Sequence, residues 1–112
     1  MSDLVSTLVD LIDIPSEVGD EGRLCTALSE RLMSSWGIDG VERIGNSLIV
    51  GKRSQRPLFL LVGHIDTVPA QGQGPAAIDE GRVVGLGASD MKSGLAVMVH
   101  LLEDPAGMLL DL

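Results

Sequence analysis

With 112 residues, the chain is long enough for one domain with a core and too short for two. Apolar residues make up 45% of it and aromatics only 2%, from Trp36 and Phe59, which excludes a disordered composition and predicts an aliphatic core. Sixteen acidic residues against eight basic ones give a formal charge of −8, which disfavours nucleic-acid and anionic-membrane partners.

Leu4, Leu8, Leu11 and Ile12 recur at helical spacing, with Val5 and Val9 widening the stripe. Ser2 or Asp3 can cap this first helix, and Pro15 ends it. Asp3 and Asp10 fall where a leader would carry basic residues, and no uncharged run approaches the ~20 residues of a membrane span. A cytoplasmic protein is therefore expected. A second helix is predicted from near Asp20 and Glu21, with Leu24, Leu28 and Leu32 on its buried face and Gly37 as its stop. Cys25 falls within it; as the one cysteine it excludes an internal disulfide and reads as a small core residue.

Val41 to Ile44 and Ser47 to Val50 flank Gly45-Asn46, a hairpin signal. Lys52, Arg53 and Arg56 form a short basic cluster that reads as a solvated loop. Pro57 opens the run Leu58-Phe59-Leu60-Leu61-Val62, the pattern of a strand covered on both faces. Residues 69–75 read as loop, and Arg82 to Val84 as a short strand. After the breakers Gly85, Gly87 and Ser89, Met91, Leu95, Met98 and Leu102 describe a helix ending at Pro105, and Met108 to Leu112 look like the start of another strand. Alternating elements around a buried strand predict an α/β sheet layered by helices, in one domain without repeats.

Two stretches concentrate chemistry. In Gly63-His64-Ile65-Asp66-Thr67-Val68-Pro69, His64 and Asp66 are two residues apart, so extended chain points them to one side, about 6–7 Å apart along the strand. A neutral imidazole is a good zinc ligand, and a nearby carboxylate can orient it. Taken alone, a His-x-Asp at a strand end is more often a hydrogen-bonded loop pair. The second stretch runs from Gly85 to Gly94. It lacks the spacing of a phosphate-binding loop or a dinucleotide fingerprint. Asp90 reads as an N-cap of the last helix, which does not exclude ligation, because a carboxylate has two oxygens and can bridge two metal ions. Lys92 reads as an exposed first-turn residue, Gly94 as a site of close helix–strand packing, His100 as a satisfied or surface helix histidine, and Met91 and Met98 as core.

Together these stretches resemble the peptidase M20 family of metallohydrolases, whose pattern is a His-x-Asp-x-Val-Pro turn followed by a Gly-rich Ser-Asp-Met-Lys-x-Gly segment. The chain reads His64, Asp66, Val68, Pro69, then Gly87, Ser89, Asp90, Met91, Lys92, Gly94. The segment Leu11 to Ser16, with Gly19, Asp20 and Glu21 behind it, is similar to the family's opening helix and turn. The run from Val84 to Met98 is most similar to the branch that removes an N-succinyl group from diaminopimelate in lysine biosynthesis; carboxypeptidases, aminoacylases and acetylornithine deacetylases share the motifs.

The resemblance implies a three-layer αβα zinc-hydrolase catalytic domain, of which residues 1–112 would be the amino-terminal part, cut before the sheet is complete and without the lid and dimerisation domain. It implies that His64 ligates the first of two zinc ions (Co2+ being a possible substitute), that Asp66 acts in catalysis by orienting His64, that Asp90 bridges both ions, and that the Asp90–Met91 peptide is cis. It also implies a small N-acyl amino acid substrate and a homodimeric complete enzyme. The family's paired glutamates, a further acidic ligand and a late histidine have no counterpart here. The isolated chain is therefore expected to bind zinc weakly, to hydrolyse nothing, and to be marginally stable because a sheet edge lacks its neighbour. The contrasting expectation is a non-catalytic α/β remnant or binding module.

Overall fold

The helical periodicities become three helices packed on one another. The computed structural model describes residues 3–51 and 60–104. Helix α1 spans Asp3–Asp13, α2 spans Gly22–Trp36 and α3 spans Ser93–Glu103. α1 stops before Pro15, whose ring cannot continue a helix. α2 stops at Gly37, which takes φ 72° and donates its N–H to the Met33 carbonyl at 2.8 Å. Leu11, Leu24, Leu28, Leu32, Val41, Leu95, Ala96 and Val99 form the core, all aliphatic, as the shortage of aromatics requires. Cys25 is fully buried on α2, and burial pushes its thiol pKa up.

A polar seam joins the same helices. Arg31 donates to both carboxylate oxygens of Glu103, at 2.7 and 2.9 Å, and also to the Thr7 hydroxyl at 2.9 Å. That guanidinium holds the Glu103 carboxyl below its ordinary pKa. Thr7 is buried and lies 2.9 Å from His100 Nε2, so His100 is the satisfied helix histidine anticipated. Trp36 Nε1 donates to the Leu102 carbonyl at 2.8 Å, tying the end of α2 to the end of α3.

The strands form two separate antiparallel hairpins. β1 (Val41–Ile44) pairs with β2 (Ser47–Val50) across the anticipated Gly45-Asn46 turn, and the hairpin packs on α2 through Val41 of β1 and Leu48 and Val50 of β2. β3 (Ala77–Asp79) pairs with β4 (Arg82–Val84) around Glu80-Gly81, both at positive φ. That is the backbone of a two-residue hairpin turn whose twist matches its strands. The mixed α/β character is as anticipated, but a single layered sheet is not formed among the described residues. Strands of three or four residues satisfy their ladder hydrogen bonds across their own turns, and each hairpin closes on itself.

Two further expectations are corrected. Leu60, Leu61 and Val62 lie in no strand and are 84, 54 and 77% exposed, so the described part of the 58–62 run is not a covered strand. An apolar run records what a segment can bury, not what stands beside it, and no described strand pairs along these residues. The last helix starts at Ser93, preceded by an irregular turn over Ala88–Lys92. Lys52, Arg53, Arg56, Leu58, Phe59, Pro105 and the Met108 to Leu112 run lie outside the described residues. Among the described residues no helix is long and apolar enough to cross a membrane.

Candidate metal centre

The stretch from Leu11 to Val18, where α1 ends, anchors both motif segments. Ser16, almost fully buried, donates its hydroxyl to the Ile65 carbonyl at 2.6 Å, and its own carbonyl accepts from Thr67 N–H at 2.9 Å. Val18 N–H donates to the Thr67 carbonyl at 3.0 Å, completing a parallel bridge. Asp13 Oδ1 accepts from Ala76 N–H at 2.7 Å, just before β3. The His64–Asp66 segment is therefore held by backbone pairing to the end of a helix instead of by neighbouring strands.

The second segment reaches the same anchor through Lys92. The sequence predicts an exposed residue there; it is 2% exposed, and its ammonium donates to the Leu11 carbonyl at 2.7 Å and the Ile14 carbonyl at 3.0 Å. Leu11 lies in the last turn of α1, where a helix leaves its carbonyls without partners, and Ile14 follows just beyond it; a cation at that end also meets the negative pole of the helix dipole. Burial pushes the Lys92 pKa down, and Asp13 partly offsets this. The lysine stem passes Gly87, which sits at φ 79° and faces Thr67; a Cβ there would stand 2.6 Å from Thr67 Cγ2. Gly87 thus permits both the left-handed backbone and the close approach.

These anchors bring His64, Asp66 and Asp90 together. His64 Nε2 lies 2.9 Å from Asp90 Oδ1, while Nδ1 lies 3.1 Å from Asp66 Oδ1 and 3.2 Å from the Asp66 carbonyl oxygen. The imidazole is thus held between two carboxylates, one on each ring nitrogen. Its pKa is raised, chiefly by the Asp90 hydrogen bond, with desolvation opposing and Asp66 adding support. Asp90 does not cap α3: it has φ −131° and ψ 93°, is joined to Met91 by a cis peptide, and turns its carboxylate to His64. Met91 packs against the core as anticipated, and its sulfur also accepts the His64 backbone N–H at 3.4 Å. Gly94 gives room to the Met91 methyl, 3.0 Å from where a Cβ would lie, a different neighbour from the strand anticipated.

The donor chemistry suits half of a zinc site. Two donors each ~2.0–2.1 Å from one tetrahedral zinc stand roughly 3.3 Å apart, close to the Nε2–Oδ1 separation observed. The Asp66 contact at Nδ1 is the kind of partner that fixes a ligating imidazole's tautomer and orientation. Among the described residues, no group of three or more His, Cys, Asp or Glu side chains could hold a metal ion. Beside these side chains opens a cleft of about 460 Å3, lined among others by Val18, Arg82 and Ser89. Sequence reasoning missed Ser16, Thr67, Arg82 and the inward role of Lys92. The apolar stem of the lysine is the one signal that allows burial.

Residues 60–108 match the model of Peptidase family M20/M25/M40. Over that segment the chain is similar to this family. Over most of its length it is similar to proteins named as succinyl-diaminopimelate desuccinylases. One from Corynebacterium glutamicum is 39% identical over 95 residues, covering 80% of this chain and 25% of the relative. A provisionally named desuccinylase from Mycobacterium tuberculosis H37Rv is 37% identical over 100 residues, covering 88% and 28%. A relative from Pyrococcus furiosus, provisionally named a LysW-lysine/LysW-ornithine hydrolase, is 37% identical over 93 residues, covering 82% and 27%. The chain thus spans about a quarter of the length of the curated relatives it matches.

Proposed function

We propose that the chain is the part of a zinc-dependent amide hydrolase that supplies His64 and Asp90 as metal donors and Asp66 as the group orienting His64. The observation that carries this reading is the convergence of His64 Nε2 and Asp90 Oδ1 to 2.9 Å, with the Asp66 carboxylate on the opposite ring nitrogen. His64 would hold the first ion, and the second oxygen of Asp90 is free to reach another. Bound zinc supplies Lewis acidity toward an amide carbonyl. The chain's own residues orient the imidazole, hold its proton at Nδ1 toward Asp66, and line one wall of the cleft.

The substrate class is an N-acyl amine bearing carboxylates, with N-succinyl-diaminopimelate as the leading candidate by the names of the relatives. Arg82, the one guanidinium among the described residues lining the cleft, suits an anionic ligand, because a guanidinium pairs with a carboxylate through two parallel hydrogen bonds. The lysine/ornithine hydrolase name of the Pyrococcus relative supports a second reading, in which the acyl partner is different and the amide chemistry is the same. The complete enzyme, by this reading, is a cytoplasmic homodimer with two zinc or cobalt ions, and residues 1–112 are the amino-terminal part of its catalytic domain. Among the described residues the chain offers two direct donors where a zinc site takes three or four, so weak metal binding and no hydrolysis are expected of it in isolation.

Titration of the purified chain with Zn2+ tests this. Weak uptake that His64→Ala and Asp90→Ala each abolish is the expected outcome; uptake that survives either substitution overturns the donor assignment. Metal-dependent cleavage of N-succinyl-diaminopimelate by the isolated chain would overturn the expected inactivity.

A further inference from the structure

We propose that Lys92 is a positioning residue: by donating to the Leu11 and Ile14 carbonyls it fixes the approach of Asp90 to His64. The inference rests on the metal-site reading above and concerns a side chain that touches neither donor.

A closed circuit of short contacts links Lys92 to the His64–Asp90 pair. Two residues beyond Asp90, the Lys92 backbone N–H donates to the Gly87 carbonyl at 2.9 Å, pinning the irregular turn from within. Its side chain runs inward past Gly87, with Cδ and Cε each 3.6 Å from where a Cβ would stand, and ends on Leu11 and Ile14. Two residues on from Ile14, Ser16 grips Ile65 and Thr67, the residues flanking Asp66. Ile65 also adjoins His64, and His64 meets Asp90 at 2.9 Å. Every joint in this circuit except the last is made by a buried side chain or by backbone pairing, whereas the Asp90 side chain is 85% exposed. An exposed carboxylate on an irregular turn has no packing of its own to hold it, so its position follows from the fixed points that succeed it, Met91 against the core and the more deeply buried Lys92. A compact ammonium with rotatable donors can reach two carbonyls around one helix end; a planar guanidinium, with its fixed fork, cannot take the same place.

The test compares Lys92→Met, which keeps an apolar stem and removes the donors, with Leu28→Ala, which weakens the core away from the motif segments. Two quantities are read on the full chain: the Zn2+ dissociation constant by calorimetry, and the His64 ring 15N chemical shifts without metal. Lys92→Met is expected to weaken Zn2+ binding by about 10–100-fold, the usual consequence of removing a group that supports a ligand. It should also move the Nε2 resonance away from its hydrogen-bonded position. Leu28→Ala should lower the melting temperature and leave both quantities unchanged. A folded Lys92→Met chain with unaltered affinity and unaltered shifts overturns the proposal. If that variant does not fold, Lys92→Arg takes its place, with weakened binding and a displaced Nε2 resonance expected and unchanged values overturning the proposal. If the unaltered chain takes up no Zn2+, the metal reading fails, and the ring shifts alone decide whether Lys92 sets the His64–Asp90 contact.

Discussion

The helical face and the motif edge of this molecule are held by different forces. Around α1, α2 and α3, eight aliphatic side chains close on one another, and the polar seam of Arg31, Glu103, Thr7 and His100 adds directional contacts over a core already formed. Along residues 60–68 apolar side chains stand exposed, and there and along residues 85–91 position is set chiefly by a few buried polar groups, Ser16, Thr67 and Lys92. The first kind of cohesion is non-directional and tolerates repacking; the second fails when a single donor is lost. Stability and site geometry are therefore separable here.

The sharpest way to break that separation is Leu24→Ala. Leu24 is fully buried, so its truncation should lower unfolding free energy by about 2–5 kcal/mol, read as a fall in the urea midpoint. The His64 ring resonances in the absence of denaturant should not move; if they do, the two regions are not separable. Ser16→Ala should cost less, about 1–3 kcal/mol, by stranding the Ile65 carbonyl, yet it should shift the amide resonances of residues 64–67. Glu103→Gln should have the smallest effect, under about 1 kcal/mol at neutral pH, because the pair is partly exposed. Its sign follows from the lowered Glu103 pKa. The pair's contribution is present in full above the unfolded carboxylate value of about 4.3 and is lost as pH falls through the lower native value. Urea midpoints of the two chains should therefore converge in acid; parallel curves would remove the seam from the account.

What the sequence disclosed divides along the same line. Leu24, Leu28 and Leu32 at helical spacing, and Gly45-Asn46 between two short apolar runs, announced α2 and the first hairpin, because periodicity and turn chemistry are local. His64, Asp66 and Asp90 were visible as chemistry-bearing residues, and the structure brings them together. The second hairpin was half seen: Arg82 to Val84 was read as a strand, but Ala77–Asp79 is too short to show an alternation of its own. Lys92 was misread because its charge argued for solvent, and only the carbonyls at the end of a helix distant in sequence make its burial favourable. The exposed 60–62 segment was misread for the converse reason, since hydrophobicity says nothing of the neighbour.

Cys25 has a practical consequence. It is the one sulfhydryl in the sequence, it is sealed within the helical layer, and its thiolate is disfavoured there. A water-soluble alkylating reagent can reach it only when that layer opens, so the labelling rate is a native stopwatch for the opening. Timed with and without Zn2+, it would register whether an ion at the far edge slows the breathing of the helices, with no engineered probe.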